Sequence, residues 1–341
     1  MSAIYIWPGE IVMSINMRES SHCMRPFDAG DYEALAELDR TLYPDHAASP
    51  DEMRFHDEHR DPKVAWKRWV WMEDGRIVAR AGYSQEAYAY HPQRFWVELE
   101  VHPEYQGRGI GSALYEHVIR ELEPFDPIKL QIEAGELHPK GIEFVLKRGF
   151  EKELEEIESR LDLTRFDPEA FGGNVRKALE QGIVFRTHAE LANRDGHMPD
   201  LYELVTKLDE DVPWPDPYTP PEYELWSGRM LANPNLLPEG YMVAMDGDRY
   251  IGMSNLWNAE AIPDVWTGLT GVLREYRGRG IATALKVLVL TWAREAGILG
   301  TRTWNAEQNA SMRGINRRLG FEPLPTWFTC AKIIREEEVQ K

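Results

Sequence analysis

The sequence predicts an α+β protein made of two tandem copies of one unit, each a twisted, mostly antiparallel sheet flanked by helices. The first observation is a repeated stretch: VELEVHPEYQGRGIGSALYE returns later as TGLTGVLREYRGRGIATALK. The second is its spacing, because Gly107 and Gly278 are 171 positions apart and the Gly-Phe pairs ending at Phe150 and Phe321 keep the same interval. Chance rarely preserves two motifs at one interval, so we infer a duplicated unit of about 150 residues, a usual domain size.

Each unit begins with a short β-prone run and a helix, followed by two strands joined by a tight turn. KRWVWMEDGRIVARAGYSQ predicts a hairpin that turns at Asp74-Gly75, and YMVAMDGDRYIGMSNLW predicts its counterpart at Gly247. Next come the strand–glycine–helix segment, another strand, a helix that ends in Gly-Phe, and a last strand. The second unit is longer before its hairpin, where the proline-rich EDVPWPDPYTPPEYELW is inserted. Long irregular loops of this kind often act as lids.

These elements set the expected domain limits. We expect residues 1–20 to form a disordered leader and residues 21–164 to form the first domain. TRFDPEAFGGNVRKALEQG predicts a linker with one helix over residues 165–182. Residues 183–341 then form the second domain.

Composition and charge narrow the function class. The formal net charge of −18 argues against a nucleic-acid partner, because phosphate binding needs clustered positive charge, whereas an acidic field attracts cationic substrates. No apolar run reaches the roughly 20 residues of a membrane span. Cys23 and Cys330 are the only cysteines, and the ten histidines show no metal-binding spacing. We therefore expect a cytoplasmic protein without a metal, present as a monomer or homodimer.

The repeated glycines lie where a strand is followed by a helix. The first turn of a helix presents N–H groups without intrahelical partners and the positive end of the helix dipole. Glycines let an anion approach these groups and arginines add charge, so the segment fits a pyrophosphate. The spacing is G-x-G-x-G in the first unit and G-x-G-x-A in the second. It matches neither the G-x-G-x-x-G dinucleotide fingerprint nor the G-x-x-x-x-G-K-[ST] phosphate loop.

VHPEYQGRGIGSAL and VLREYRGRGIATAL resemble motif A (Q/R-x-x-G-x-G/A) of the GCN5-related N-acetyltransferase (GNAT) family, and NAEQNASMRGINRRLGF resembles its motif B. The resemblance covers nearly the whole chain as two tandem acyl-CoA N-acyltransferase domains. It implies that the loop backbone holds the pyrophosphate of acetyl-CoA and that the preceding strand holds the pantetheine arm. The implied acetyl-CoA residues are Val272, Arg277, Gly278, Arg279, Gly280, Ile281, Ala282 and Asn309 in the second unit, and Val101, Gln106, Gly107, Arg108, Gly109 and Gly111 in the first.

The two copies of motif B differ. Asn309 is matched by His138 in the first unit, so we expect the second domain to be catalytic. The first domain is then a structural partner, a weak cofactor binder or an enzyme with its own substrate. The resemblance also implies a tyrosine acid seven residues after the asparagine, but Asn316 stands there. Asparagine is no general acid, so the leaving thiolate would take its proton from Tyr276, Tyr241 or water.

Acetyl transfer to an amine needs a base, because a lysine-like amine with a pKa of about 10.4 is protonated at neutral pH. In the second unit, Glu260 and Asp264 lie just before the strand of motif A. In the first unit, Glu98 and Glu100 alternate along that strand and so share one face beside the cofactor arm. The acidic run 209–211, next to the proline-rich loop, is a further place for a cationic amine.

The sequence thus predicts an acetyl-CoA-dependent N-acetyltransferase that moves an acetyl group directly to the primary amine of a small cationic acceptor. Two alternatives stay open: another acyl-CoA as the donor, or a non-catalytic acyl-CoA-binding or scaffold protein. Aromatic residues around the proline-rich loop are either core residues or the lining of an amine pocket: Trp214, Tyr218, Tyr223, Trp226 and Trp257.

Overall fold

A computed structural model describes residues 22–337, so the leader expected over residues 1–20 lies outside the described residues. Within this range, strands and helices follow the order that the repeat predicts, and both hairpins turn at the expected places. Asp74 and Gly75 have φ angles of 49° and 77°, and Gly247 has a φ of 59°. Positive φ angles are typical of tight two-residue hairpin turns.

The described range contains twelve strands. They are β1 (His22–Pro26), β2 (Trp66–Glu73), β3 (Arg76–Ser84), β4 (Arg94–Val101), β5 (Lys129–Gly135), β6 (Glu151–Asp162), β7 (Ile183–Thr187), β8 (Leu236–Asp246), β9 (Arg249–Trp257), β10 (Asp264–Val272), β11 (Gly300–Ala306) and β12 (Glu322–Ile333).

Ten α-helices accompany these strands between residues 22 and 337. They are α1 (Tyr32–Leu42), α2 (Pro50–Glu58), α3 (Ile110–Leu122), α4 (Pro139–Leu146), α5 (Gly172–Glu180), α6 (His188–Leu191), α7 (His197–Asp209), α8 (Tyr223–Ala232), α9 (Ile281–Glu295) and α10 (Ala310–Leu319). Short 3₁₀ turns cover Ala29–Asp31, Pro103–Tyr105, Glu123–Phe125, Pro168–Phe171 and Arg274–Tyr276. Among the described residues, no helix combines the length and apolar character needed to cross a membrane.

All of these strands join one sheet, in the order β1-β2-β3-β4-β5-β12-β6-β11-β10-β9-β8-β7. Neighbours are antiparallel except for β4–β5 and β10–β11, which are parallel. The last strand of each unit has changed places: β12 lies between β5 and β6, and β6 lies between β12 and β11. The two units therefore exchange their final strands across the centre of the sheet.

The hydrophobic cores follow the exchanged strands rather than chain order. Phe328 and Cys330 of β12 are buried in the core of the first unit, together with Leu114 of α3. Leu161 of β6 and Leu163 just after it are buried in the core of the second unit. Each unit therefore depends on side chains that come from the other unit's segment of the chain.

Each parallel strand pair stays together for a short distance and then opens. β4 and β5 pair over residues 94–96 and 129–131, and β10 and β11 pair over residues 264–266 and 300–302. Beyond these residues β4 stays with β3 as far as Val101, while β5 stays with β12. A wedge therefore opens at the carboxyl end of β4, directly before the glycine loop, and the repeat places a second wedge after β10.

The two wedges differ in the strand that borders them. β10 changes register against β9 between Thr267 and Thr270, which is a β-bulge at Gly268 and Leu269. β4 keeps one register against β3 from residue 96 to residue 101. A bulge turns local backbone groups away from the regular ladder, and bulges are common beside binding sites. The second wedge therefore carries a backbone feature that the first lacks.

We expect Phe328→Ala to loosen the first unit, although Phe328 lies in the second unit's segment of the chain. Removing a buried phenylalanine costs about 3–5 kcal/mol of unfolding free energy. Urea unfolding should show this loss, and amide hydrogen exchange should rise in β5 and α3.

Phe321→Ala is the matched control, because Phe321 immediately precedes the same strand and is buried in the second core. In that variant, exchange should rise in α9 instead. If both variants loosen the same unit, the exchange of strands between the units is wrong.

Candidate active site

The two glycine loops have the same backbone shape. Gly107 and Gly278 have φ angles of 76°, while Gly109 and Gly280, the N-cap residues of α3 and α9, have φ angles of 88° and 84°. Such left-handed values favour glycine, and a Cβ atom added at any of the four would point into open space. Backbone N–H groups at a helix N-terminus can surround phosphate oxygens when the approach is this open. Both loops therefore fit a pyrophosphate.

Side chains tie each loop to the strand before it. Gln106 Nε2 donates a hydrogen bond to the Val101 carbonyl (3.0 Å), and Arg277 Nε donates to the Val272 carbonyl (3.1 Å). Asp211 forms an ion pair with Arg277 as well. The strand end and the loop are thus held together in both units. Asp211, which belongs to the acidic run predicted to receive an amine, supports the loop instead.

A cavity of about 760 Å³ opens in the wedge beside β4. Residues 96–100 line it from both faces of β4, so it extends past the edge that β5 has left. Its carboxylates all come from the first unit: Asp39, Glu86, Glu98, Glu100, Glu133 and Glu156. Its aromatic side chains come from both units: Tyr43, His46, Trp96, Trp266, Trp304 and Trp327. We call the carboxylates the acidic floor and the three tryptophans of the second unit the tryptophan wall.

One arginine neutralises part of the acidic floor. Arg80 on β3 forms ion pairs with Glu100 and with Asp39, the latter with Nη2 and Oδ1 3.0 Å apart. Burial raises the pKa of Asp39 to about 6, although Arg80 opposes this shift. Glu100 is therefore an ion-pair partner of Arg80, and Glu98, on the same strand face, lines the cavity together with it.

Glu133 is a carboxylate of the acidic floor whose surroundings raise its pKa to near neutral pH. It extends from β5 and is open to the cavity. Enclosure by the protein raises its pKa to about 7, and the negative charges of Glu156, Glu98 and Glu100 add to the shift. A general base works best when its pKa lies near the operating pH. Glu133 therefore has the properties of a base, and the sequence analysis did not identify it.

The tryptophan wall is held in place by stacking and by one buried carboxylate. The rings of Trp266 and Trp304 stack with their centres 4.6 Å apart, and His46 lies parallel to Trp266 at 5.7 Å. Glu158 is hydrogen-bonded to His46 Nε2 (2.9 Å) and accepts from Trp327 Nε1 (3.3 Å). Carboxylates that face aromatic rings suit an organic cation, which both groups attract.

The second unit lacks this set of carboxylates. β5 and β11 begin 171 positions apart, as do β6 and β12, so Glu133 corresponds to Trp304 and Glu156 to Trp327. The motif A strands correspond in the same way, so the counterparts of Glu98 and Glu100 are Leu269 and Gly271. These four carboxylates of the acidic floor therefore have no acidic counterpart in the second unit. Trp304 and Trp327, which occupy the positions of Glu133 and Glu156 in the repeat, form part of the tryptophan wall of the same cavity.

Asp264, predicted as a base, is instead a structural ion-pair partner. Its side chain is 3% exposed and accepts hydrogen bonds from Arg160 (2.6 and 2.8 Å) and from Arg302 (2.9 Å). Burial alone would raise the pKa of Asp264, but the two guanidinium groups lower it. A carboxylate held between two arginines is a poor proton acceptor. Asp264 therefore ties β10 to β6 and β11, and we withdraw it as a base.

Glu260, the other base predicted in the second unit, joins the two units. Its carboxylate accepts from Ser49 Oγ (2.6 Å), and its backbone N–H donates to Glu52 Oε1 (3.0 Å). These contacts fix the loop before β10 to the N-terminus of α2. Glu260 does not line the cavity. We therefore withdraw it as well.

Motif B forms the expected helix but offers no acid. Asn309 is the N-cap of α10, and its Oδ1 accepts from the Met312 N–H (3.2 Å). His138 holds the same place at α4, without a side-chain cap. Asn316 is buried and donates to Asn305 Oδ1 (2.6 Å). Asn316 therefore links α10 to β11 through a hydrogen bond.

Comparison with known proteins finds one family twice along the chain. A family model described as the acetyltransferase (GNAT) family matches twice, over residues 32–150 and 199–321. Each matched segment contains one glycine loop and one wedge. The two matches together cover well over half of the chain.

Individual relatives share the fold over most of the chain. The mycothiol acetyltransferase of Geodermatophilus obscurus is 25% identical over 233 residues, which is 66% of this chain and 69% of that protein. A solved GCN5-related N-acetyltransferase from Sphaerobacter thermophilus is 20% identical, with a TM-score of 0.68 over 93% of this chain and 96% of that chain. A tandem GNAT protein from the clavulanic acid biosynthesis pathway is 21% identical, with a TM-score of 0.71 over 93% of this chain and 100% of that chain.

Glu133→Gln should stabilise the protein at pH 8 and leave its stability at pH 4 unchanged. A raised pKa means that folding favours the protonated carboxyl group. The stability that the folded protein gains from this preference is fully present below the ordinary pKa of 4.5. It is lost as the pH rises through about 7, where the folded protein must also ionise Glu133. Glutamine stays uncharged throughout, so it avoids the loss. Urea unfolding at the two pH values measures the difference.

Glu158→Gln is the matched control with the opposite sign. Burial would raise the pKa of Glu158, but His46 and Arg302 lower it. Its stabilising charge is therefore present at pH 8 and lost on acidification, so the glutamine variant should be less stable than the wild type at pH 8. If Glu133→Gln is also less stable at pH 8, the carboxylates of the acidic floor do not repel one another as described.

Proposed function

Because the chain belongs to the acetyltransferase (GNAT) family, and is thus an N-acetyltransferase, we propose that it acetylates a primary amine of a small cationic acceptor bound in the 760 Å³ cavity. The observation that carries this proposal is the acidic floor facing the tryptophan wall, directly beside a glycine loop. Carboxylates attract the ammonium group, and the aromatic rings bind its charge and its apolar part.

Acetyl-CoA is the proposed donor, and the first unit has a place for it. Gly107, Gly109 and the first turn of α3 would surround the pyrophosphate, because no side chain fills that space. The edge of β4 that faces the wedge would bind the pantetheine arm, which brings the acyl end to the cavity. When bound there, acetyl-CoA supplies an activated acetyl group. Arg108 adds positive charge beside the loop.

The residues of the acidic floor would prepare the acceptor. Glu98 and Glu156 stabilise the ammonium group as it enters the cavity. Glu133 accepts one of its protons, and the nitrogen lone pair then forms a bond to the carbonyl carbon of the acetyl group as the bond from that carbon to sulfur breaks. The nitrogen gives its further proton to water. The tryptophan wall binds the apolar part of the acceptor in the same space. Val145 stands in the first unit at the position where the family implies a tyrosine, so water is the proposed proton source for the leaving thiolate.

This proposal places transfer in the first unit, whereas motif B favoured the second. The change rests on the carboxylates, because Leu269, Gly271 and Trp304 occupy their positions in the second unit. The second unit keeps a glycine loop of the same shape, so we propose that it also binds the donor. A different acyl-CoA donor and a non-catalytic acyl-CoA-binding role are the alternatives that the experiments below separate.

Calorimetric titration of acetyl-CoA into Gly109→Trp and Gly280→Trp should locate the donor. A tryptophan at either position fills the space of that loop and should abolish binding there. Gly75→Trp is the matched control for backbone strain, because Gly75 has a similar φ of 77° and open surroundings but lies in a hairpin turn. Loss of acetyl transfer in Gly109→Trp alone supports the first unit. Loss of transfer only in Gly280→Trp would move the reaction to the second unit.

Glu133→Gln should lower kcat by about 10²–10⁴-fold, the usual contribution of a general base. The assay is release of free CoA from acetyl-CoA with putrescine as the acceptor and 1,4-butanediol as the amine-free control. In the wild type, the rate should rise with pH through about 7, as Glu133 loses its proton, and the variant should lack this rise. Glu151→Gln, at the exposed end of β6, is the matched control.

Three other outcomes would change the proposal. Equal rates for Glu133→Gln and the wild type would remove Glu133 as the base. Turnover with succinyl-CoA but not with acetyl-CoA would change the donor. Binding of acetyl-CoA without CoA release, across a panel of primary amines, would favour a non-catalytic role.

A further inference from the structure

His46 has a ring nitrogen for which the proposed reaction has no use. It lies in the segment between α1 and α2 and lines the 760 Å³ cavity. Its Nε2 is 2.9 Å from Glu158 Oε2, and its side chain is 22% exposed. Within residues 22–337, the other nitrogen, Nδ1, has no hydrogen-bond partner and keeps part of its surface exposed. Nδ1 is therefore open to a molecule in the cavity.

Glu158 determines which nitrogen of the neutral His46 ring carries the proton. An ionised carboxylate accepts hydrogen bonds and donates none, so the proton lies on Nε2. Nδ1 then has a lone pair and can only accept. Glu158 is 2% exposed and also accepts from Arg302 Nη1 (2.9 Å), so it is itself held in place. The buried carboxylate thus presents His46 to the cavity as a hydrogen-bond acceptor.

The tryptophan wall fixes the direction of this acceptor. The His46 ring lies parallel to Trp266, with 5.7 Å between the centres, and meets Trp327 edge-on at 5.4 Å. Trp304 is tilted against it at 5.7 Å. These rings and the hydrogen bond to Glu158 restrict rotation of the imidazole. A planar group that packs against the wall can therefore bring a donor at its edge to Nδ1.

The carboxylates beside His46 are already neutralised by arginines. Asp264 accepts hydrogen bonds from both Arg160 and Arg302. Glu158 accepts from Arg302 as well. The acidic floor, at the other end of the cavity, has a much larger excess of negative charge, because Arg80 pairs with only two of its carboxylates. An ammonium group is therefore favoured at the floor and not at His46.

The sheet register gives the length of the cavity. Glu133 of β5 lies opposite Thr329, which lies opposite Leu154 of β6. Glu158 follows four residues later on β6 and lies opposite Trp304 of β11. Three strand spacings and four residues thus separate Glu133 from Trp304, which is about 20 Å between backbone positions on one face of the sheet. The cavity therefore suits a molecule with a charged end and a separate neutral end.

We propose that the acceptor is an arylalkylamine whose ring carries a hydroxyl group, and that His46 selects it. The hydroxyl donates a hydrogen bond to His46 Nδ1, the ring packs against the tryptophan wall, and the ammonium group lies over the acidic floor. The inference rests on the proposed function, because it names the acceptor class of the same cavity. His46 is thus a specificity-determining residue, and Glu158 is its positioning residue.

The test compares three ligands that differ at one ring position: tyramine, phenethylamine and 4-methoxyphenethylamine. Each is titrated by calorimetry into the full-length protein without acetyl-CoA. Tyramine should bind about tenfold more tightly than the other two, the size of one net hydrogen bond. The methoxy group keeps the oxygen but cannot donate. The comparison needs no variant, so it does not depend on the folding of one.

Two variants assign the preference to His46. His46→Phe keeps a flat ring without Nδ1, so it should bind the three ligands equally, and unchanged thermal unfolding shows that it is folded. Tyr43→Phe is the matched control, because Tyr43 also lines the cavity, and it should keep the tenfold preference. In turnover, tyramine should have a KM about tenfold below that of phenethylamine at equal kcat.

The proposal is overturned if the wild type binds the three ligands equally, if none of them binds, or if His46→Phe keeps the preference. Absence of acetyl transfer to both tyramine and phenethylamine would instead contradict the proposed function. The titrations contain no donor, so they would still decide the role of His46 in that case.

Discussion

The pairing of β6 with β12 is the constraint on which the rest of the molecule depends. Each unit places its last strand next to the other unit's sheet, so one continuous ladder of backbone hydrogen bonds positions both wedges. Glu156 and Trp327 are equivalent in the repeat and lie opposite each other in this ladder. Side chains directly opposite on neighbouring strands share a face of the sheet. The acidic floor and the tryptophan wall therefore meet in one cavity only because the strands are exchanged.

Buried charge then fixes how the two units meet. Arg302 reaches both Glu158 and Asp264, and Asp264 also accepts from Arg160, so the network joins β6, β10 and β11. Glu158 extends it to His46, in the segment after α1. Charged groups taken out of water are tolerated when each has a partner, and removing one partner leaves the other unpaired. The network thus gives the junction of the units a defined geometry rather than a merely apolar contact.

Local sequence patterns were sufficient for the units but not for their exchange. The hairpins, the glycine loops and motif B follow from turn residues and from spacing. A strand has the same pattern whichever sheet it joins, so the position of β12 was not predictable. The ion pair of Asp264 was not predictable, because Arg160 lies 104 positions away. Glu133 was missed because its acidity depends on carboxylates of other strands. The available signal was that Glu133 and Trp304 occupy equivalent positions of the repeat.

The correspondence of Glu156 with Trp327 has a consequence for how such a cavity can arise. In a homodimer with two-fold symmetry, any substitution at a site changes both copies of that site. Two identical chains would therefore carry two carboxylates or two indoles at the centre of the sheet, never one of each. Joining the copies in one chain lifts this symmetry, because each copy can then change independently. The fused chain can thus pair unlike residues across an interface that equal subunits must build from like ones.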